Sequence, residues 1–268
     1  MNKTRIAMVG AAGRMGKAIV SILEESEFSC LQAAIERPGS ILIGVDSGLH
    51  AGLKANKVLI TDDHKAGIEN SDVVIDFSSS TNLEISIQHC LEFAKPLVIG
   101  TTGLQDTQKN AIQQAKEKIA IVHSPNMSIG VNLLFRLTEI AAKALGDSFD
   151  VEVLDIHHKH KKDAPSGTAQ KLKEVLLNSL QRSEEQVIYG REGDYPDGRI
   201  KNEIAVHTMR AGEVIGEHTV FFTSPEERIE IAHKAQDRKT FAVGAVKAAE
   251  FVVKQNKGLF DMFDVLAI

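Results

Sequence analysis

The chain has 268 residues, room for one large domain or two modest ones, and is long enough to bury a core without a metal or disulfide staple. A formal net charge of −5, no tryptophan and only 5% aromatic residues argue against a nucleic-acid binder, which needs basic excess and stacking surfaces. Two cysteines, Cys30 and Cys90, cannot build a disulfide framework or a cysteine metal site, which points to a reducing, cytoplasmic setting.

The longest N-terminal apolar run, Ile6–Gly13, is followed at once by Arg14 and Lys17. It is too short for a membrane span and a poor signal peptide, so it reads as a buried strand entering a glycine-rich turn. Apolar spacing predicts strands at Arg5–Val9, Leu31–Ile35, Val58–Ile60, Val73–Phe77, Leu97–Ile99 and Ile119–Val122. Helices are predicted between them at Arg14–Glu25, Leu83–Phe93 and Leu104–Lys118. This alternation implies an α/β fold with a parallel sheet covered on both faces.

The pattern changes near Asn126. A helix at Gly130–Leu145 precedes strands at Asp150–Ile156, Ile204–Arg210, Glu213–Phe222 and Glu227–His233. In the first of these, Val151, Val153 and Leu154 are set against Glu152 and Asp155. Ala211-Gly212 reads as a hairpin turn, and Gly190–Asn202 as a mobile surface loop. The expected second domain is α+β with a mixed, largely antiparallel sheet. Thr240–Lys254 is again helical in pattern.

Gly10-Ala11-Ala12-Gly13-Arg14-Met15-Gly16 joins the first strand to the first helix. Such a turn brings backbone N–H groups to a pyrophosphate at a helix start. The spacing is G-x-x-G-x-x-G, with Ala12 where the usual fingerprint has its second glycine, and glycine-rich turns also occur in folds that bind nothing. Glu36, at the tip of the second strand, suits the ribose hydroxyls of the adenosine half, and Arg37 suits the 2′-phosphate of NADP. The pair predicts weak discrimination between NADH and NADPH, although a surface ion pair reads equally from the residues alone. Gly100, Thr101 and Thr102, and then Ser124, Pro125, Asn126 and Met127, follow later strands, where they suit the nicotinamide half or simply shape turns.

The segment from His157 to Thr168 is a run of imidazoles and lysines in an acidic protein, ending in Pro165-Ser166-Gly167-Thr168. Ser166 is a good helix N-cap, and the N–H groups of Gly167 and Thr168 then form a carboxylate receptor. His157 and Lys161 offer proton donors of different strength. A solvated charged loop, a phosphate patch and a zinc site from the histidines compete with this reading. The zinc site is disfavoured because adjacent histidines seldom converge on one ion, so no metal is expected.

Taken together, these motifs resemble the dihydrodipicolinate reductase family. They are V-G-A-A-G-R-M-G at Val9–Gly16, I-G-T-T-G at Ile99–Gly103, S-P-N-M-S-I-G-V-N at Ser124–Asn132 and H-H-K-H-K-K-D-A-P-S-G-T-A at His157–Ala169. R-A-G-E-V-I-G-E-H-T-V at Arg210–Val220, I-A-H-K-A at Ile231–Ala235 and the C-terminal Gly258–Leu266 extend the likeness over nearly the whole chain. The resemblance implies a Rossmann-like nucleotide domain from residues 1–128 and 239–268, and a substrate-binding and oligomerisation domain at 129–238. It implies a homotetramer built through the sheets and NADH or NADPH as hydride donor, while the charge balance and the short apolar run lead one to expect no nucleic-acid or membrane partner. The substrate it implies is a small cyclic dicarboxylate: 4-hydroxy-tetrahydrodipicolinate, reduced by way of dihydrodipicolinate to tetrahydrodipicolinate on the diaminopimelate route to lysine.

The family's acid/base histidine falls on His157 and its proton-donating lysine on Lys161. A substrate contact falls on His158, and the carboxylate clasp on Gly167 and Thr168. Cofactor contacts fall on Gly10, Ala11, Ala12, Gly13, Arg14, Met15, Glu36, Arg37, Gly100, Thr101, Thr102, Ser124, Pro125, Asn126 and Met127. Met127 stands where some members have Phe, and Ser78-Ser79-Ser80 lacks a proline often found there. Rival readings are a dehydrogenase of another small amino or semialdehyde acid and a non-catalytic NAD(H) sensor. Hydride transfer between domains would need hinges, expected near Asn126–Ile129 and Asp237–Thr240.

Overall fold

The computed structural model describes residues 3–268 and divides into two compact units. The first runs to Ile129 and takes up the chain again from Arg238 to Ile268; the second is Gly130–Asp237.

The first unit alternates strand and helix. In order it contains β1 (Thr4–Val9), α1 (Arg14–Glu25), β2 (Ser29–Ile35), α2 (Ser47–His50), β3 (Ile60–Thr61) and α3 (His64–Glu69). It continues with β4 (Val73–Asp76), α4 (Ser80–Glu92), β5 (Leu97–Ile99), α5 (Asp106–Ala115) and β6 (Ala120–His123). The second unit holds α6 (Ile129–Leu145, from its second residue), β7 (Asp150–His157), α7 (Gly167–Leu180), β8 (Val187–Ile188), β9 (Ile204–Arg210), β10 (Glu217–Thr223) and β11 (Arg228–Lys234). The chain then returns to the first unit as α8 (Lys239–Val252), β12 (Gly258–Phe260) and α9 (Met262–Leu266).

The seven-stranded sheet has the order β12-β6-β5-β4-β1-β2-β3, and every ladder is parallel. Alternate residues of the central strands feed two cores. Ile6, Met8, Ile75 and Val122 pack with Ile19 and Leu23 of α1 and with Ala245 and Ala249 of α8. Ala7, Val9, Val74 and Ile121 pack with Leu83, Ile87 and Ile112 of α4 and α5. Both faces are thus covered, which is why these strands are apolar throughout. Each fully buried Ile or Leu contributes about 1.5–3 kcal/mol relative to exposure. The strand order reverses between β1 and β4, and at such a switch point a crevice opens beyond the carboxyl ends of the strands. The predicted strand at Val58–Ile60 shifts to Ile60–Thr61, with Leu59 left in an isolated bridge to Asp46.

The five-stranded sheet has the order β11-β10-β7-β9-β8 and is mixed. β7 pairs antiparallel with β10, and β10 with β11, whereas β7–β9 and β9–β8 are parallel. The predicted hairpin at Ala211-Gly212 is not one, because β7 lies between β9 and β10. The connection instead wraps the end of β7. Ala211 N–H donates to the His157 carbonyl, His158 N–H to Val214, and Lys159 N–H to Gly212. The strand therefore begins at Glu217 rather than Glu213, since the intervening backbone is committed to β7's exit. Alternation along β7 also differs from the expected pattern: Val151, Val153, Asp155 and His157 are the buried set, and Leu154 shares the other face with Glu152 and Ile156. Position decides the face of a strand, and hydrophobicity does not overrule it. The expected mobile loop at Gly190–Asn202 is tied down: Arg191 and Arg199 both reach Glu152 and Glu203, and Arg199 also reaches Asp150.

Helix α8 packs so closely on the Ser124–Met127 turn that a Cβ at Gly244 would sit 1.7 Å from the Met127 carbonyl oxygen. Gly244→Ala must push the two apart at an overpacking cost of about 1–3 kcal/mol. A thermal melt should fall by several degrees, and an unchanged melting temperature would contradict this packing.

Candidate active site

Two clusters of polar groups stand at carboxyl ends of strands, one in each unit. In the first unit β1 ends at Val9, and Gly10 turns the chain with φ +83°. A Cβ at Gly10 would lie 2.7 Å from the Phe77 carbonyl oxygen, and one at Gly16 would lie 2.3 Å from the Gly10 carbonyl oxygen. Only glycine permits this close approach of turn, helix and neighbouring strand. Gly13 caps α1 with no side-chain hydrogen bond, and no acid occupies the first turn. The leading N–H groups of α1 are therefore available to an anion, and Arg14 adds positive charge beside them. Glu36 folds back on the turn: its Oε2 accepts the Ala12 N–H at 3.1 Å and its Oε1 accepts the Arg37 N–H at 3.1 Å. Arg37 is exposed next to it.

Beyond β4, β5 and β6 lies a cavity of about 310 Å³. Met15, Gly100, Thr101, Thr102, Ser124, Pro125, Asn126 and Met127 line it, together with Phe77, Ser78 and Phe241. The last three were missed by sequence reading. Phe77 has a legible reason to be there, because a Cβ at Gly100 would collide with its ring at 2.1 Å. The loops are tied to buried Asp76, which accepts from Ser78 N–H (2.9 Å), Ser78 Oγ (2.7 Å), Thr101 Oγ1 (2.8 Å) and Ser86 Oγ (2.6 Å). Hydrogen bonding to Asp76 thus shapes the serine turn that lacks a proline. A tight glycine turn, an uncapped helix and an adjoining cavity fit a bound dinucleotide.

In the second unit the basic segment leaves the end of β7, and its side chains separate. Lys159 and His160 lie near Glu213, and Lys161 Nζ lies 2.9 Å from Asp163 Oδ1. His158 and His160 have ring centroids 6.0 Å apart. Ser166 caps α7, its Oγ accepting the Ala169 N–H at 3.2 Å. Gly167 is exposed with open space where a Cβ would stand, and Thr168 is half-buried beside it. An anion can approach this helix start directly.

The centre of this cluster is Asp155, which sequence reading placed among solvent-facing polar residues. It is fully buried. Cross-strand register sets His218 of β10 opposite it and Arg210 of β9 opposite His157. Asp155 Oδ1 lies 2.9 Å from His157 Nδ1 and 3.2 Å from His218 Nε2. Its Oδ2 accepts from Ser166 N–H at 2.9 Å and from Arg210 at 3.0 Å. Arg210 also donates to the Asp163 carbonyl at 2.7 Å, linking the hub to the loop that carries Lys161. Burial alone would push the Asp155 carboxyl up, but His157, His218 and Ser166 outweigh it and hold the group far below the usual carboxylate range. Burial pushes the His218 imidazole down, which keeps it neutral near pH 7. Asp155, His157 and His218 also bring potential ligand atoms within 4.8 Å of one another, though Arg210 already supplies a cation to this carboxylate. The sequence signal for Asp155 was its i, i+2 relation to His157 on one strand face.

Because the Asp155 carboxyl is depressed in the folded state, its stabilising contribution is complete above the unfolded value of ~3.9 and is lost as pH falls below it. The gap in urea midpoint between the parent chain and Asp155→Asn should therefore narrow from pH 6 to pH 3. A constant gap would contradict the assignment.

Sequence profiles for known families agree with this geometry. The profile described as "Dihydrodipicolinate reductase, N-terminus" matches residues 4–127, and that described as "Dihydrodipicolinate reductase, C-terminus" matches residues 130–266. A dipicolinate-bound dihydrodipicolinate reductase from Paenisporosarcina sp. TG-14 superposes with TM-score 0.75 at 21% identity, covering 98% of this chain and 99% of the other. An amine dehydrogenase from Mycobacterium smegmatis gives 0.60 at 10% identity, covering 97% and 94%. The C. glutamicum DAP dehydrogenase in complex with DAP gives 0.55 at 13% identity, covering 98% and 94%. At these identities the structures establish the fold, and the profiles establish the family. The chain belongs to the dihydrodipicolinate reductase family, NAD(P)H-dependent oxidoreductases of the diaminopimelate route to lysine.

Proposed function

We propose that the first unit holds NADH or NADPH and that the second holds the cyclic dicarboxylate and manages its protons. The observation that carries this reading is the start of α7, an anion receptor at Gly167 and Thr168 on the same hub as His157 and on the loop that carries Lys161. One substrate carboxylate is received by the N–H groups of Gly167 and Thr168, with His158 beside it. The bound nicotinamide supplies a hydride to the conjugated imine ring. Electron density then moves toward the nitrogen end, which must collect a proton. Lys161 is the donor best suited to that step, and His157 completes the proton exchange. Transfer requires donor and acceptor carbons at ~3–3.5 Å, so the two ligands must be brought together for each turnover.

On the cofactor side, the α1 N-terminus and Gly10–Met15 receive the pyrophosphate, and Gly100–Thr102 and Ser124–Met127 surround the nicotinamide. Glu36 serves the ribose hydroxyls and Arg37 the 2′-phosphate, so both cofactors are used. We further propose a homotetramer formed through the five-stranded sheet, supported by its half-open face, on which Leu154 and Ile156 lie with exposed Met209. A cytoplasmic setting accords with the two free cysteines. Among the described residues no helix is long and apolar enough to cross a membrane.

A coupled assay with synthase-generated substrate, following oxidation of each reduced cofactor, tests the whole reading. Lys161→Ala should lower turnover by about 100-fold or more if it is a general acid, and unchanged turnover removes it from the mechanism. Arg37→Ala should raise the KM for NADPH more than that for NADH, and equal losses would show that it does not read the 2′-phosphate.

A further inference from the structure

The proposed acid/base imidazole is gripped on one side and left open on the other. His157 Nδ1 lies 2.9 Å from Asp155 Oδ1, within hydrogen-bond reach but off the ideal line. Such contacts commonly tighten when ligand binds. Across the ring, Gly216 comes so near that a Cβ there would stand 3.0 Å from His157 Nε2. Gly216 lies outside the positive-φ region, so its backbone does not demand glycine. Space at Nε2 is what demands it.

We propose that Asp155 and Gly216 are positioning residues for His157: Asp155 holds the proton on Nδ1, and Gly216 keeps Nε2 clear as the nitrogen that exchanges a proton with the substrate. This rests on the reading of His157 as the acid/base group. The donors around Asp155 fix its polarity. Ser166 N–H and Arg210 both point at Oδ2, so Oδ1 must serve as the acceptor on the imidazole side. His218 Nε2 hydrogen-bonds with Ser166 Oγ at 3.0 Å and lies 3.2 Å from Oδ1, and its Nδ1 has no hydrogen-bond partner among the described residues. A buried unpaired acceptor costs less than a buried unpaired donor, so His218 carries its proton on Nε2 and donates it to Ser166 Oγ. Oδ1 is therefore left to the His157 N–H, and the Nε2 edge of His157 is left for chemistry.

The amide in Asp155→Asn cannot satisfy both sides. Ser166 N–H and Arg210 require its oxygen, which turns its NH₂ toward the imidazoles. His157 must then accept on Nδ1 and carry its proton on Nε2, the wrong tautomer. Gly216→Ala leaves the tautomer alone and covers Nε2 instead.

The test compares three full-length variants by steady-state kinetics and by ¹⁵N-edited NMR of the histidine ring nitrogens, with His157→Gln identifying the His157 signals. Asp155→Asn should lower kcat by about 100-fold, the scale of a lost acid/base group, with its His157 signal moved from Nδ1–H to Nε2–H. Gly216→Ala should also lower kcat while keeping the Nδ1–H signal. Both should bind reduced cofactor as the parent does, since cofactor is assigned to the other unit. If His157→Gln is impaired but Asp155→Asn keeps the parent tautomer or the parent kcat, the positioning role is wrong and the site reading survives. Parent-like kcat in Gly216→Ala overturns the Gly216 half in the same way, and does so even if Asp155→Asn fails to fold. If His157→Gln itself turns over normally, the assignment of His157 falls, and this inference with it.

Discussion

A carboxylate that has lost its water must be given donors. Asp155 is completely buried and remains charged only because an arginine, a backbone amide and two imidazoles converge on it. Removing a partner from such a buried charge costs far more than the pair contributes when intact. The requirement to satisfy Asp155 therefore fixes several parts at once. It sets the start of α7 through Ser166, the rotation of the His157 ring, and the path of the loop that Arg210 holds at Asp163. The start of α7 and the His157 imidazole share one hub, so neither can shift without disturbing the other.

The architecture of the first unit was open to reading from residues because its determinants are local. Continuous apolar strands, helices of regular period and a glycine turn each announce themselves within about ten positions. The limits of α1, β5 and β9 agree with expectation to the residue. The second unit was harder for a physical reason. Its connection from β9 to β10 looks like a hairpin locally, and only the insertion of β7 between the strands shows otherwise. Strand order is a long-range property that a two-residue turn does not encode.

The site divides along the same line. The segment from His157 to Thr168 was visible because its chemistry is contiguous. Asp155, Arg210, Gly216 and His218 were not, since cross-strand register brings them together from three different strands and a loop. Asp155 was hidden by a further effect. On an amphipathic strand a carboxylate is normally counted with the solvent-facing set, and its i, i+2 relation to His157 has meaning only once that imidazole is known to be buried. Phe77, Ser78 and Phe241 were missed for a simpler reason: two of them are apolar residues whose role is the shape of a cavity wall.

Asp76 in the first unit solves the same burial problem by different means. Its donors are hydroxyls and a backbone amide, with no cation among the described residues that contact it. Three of them come from Ser78 and Thr101, which wall the cavity, so satisfying one buried carboxyl fixes where those loops stand. The start of α1, uncapped and flanked by Arg14, is by contrast positive. The unit therefore carries an anion-attracting helix start and a hydrogen-bonded cavity wall, the one set by a helix that begins without a cap and the other by the donors of Asp76.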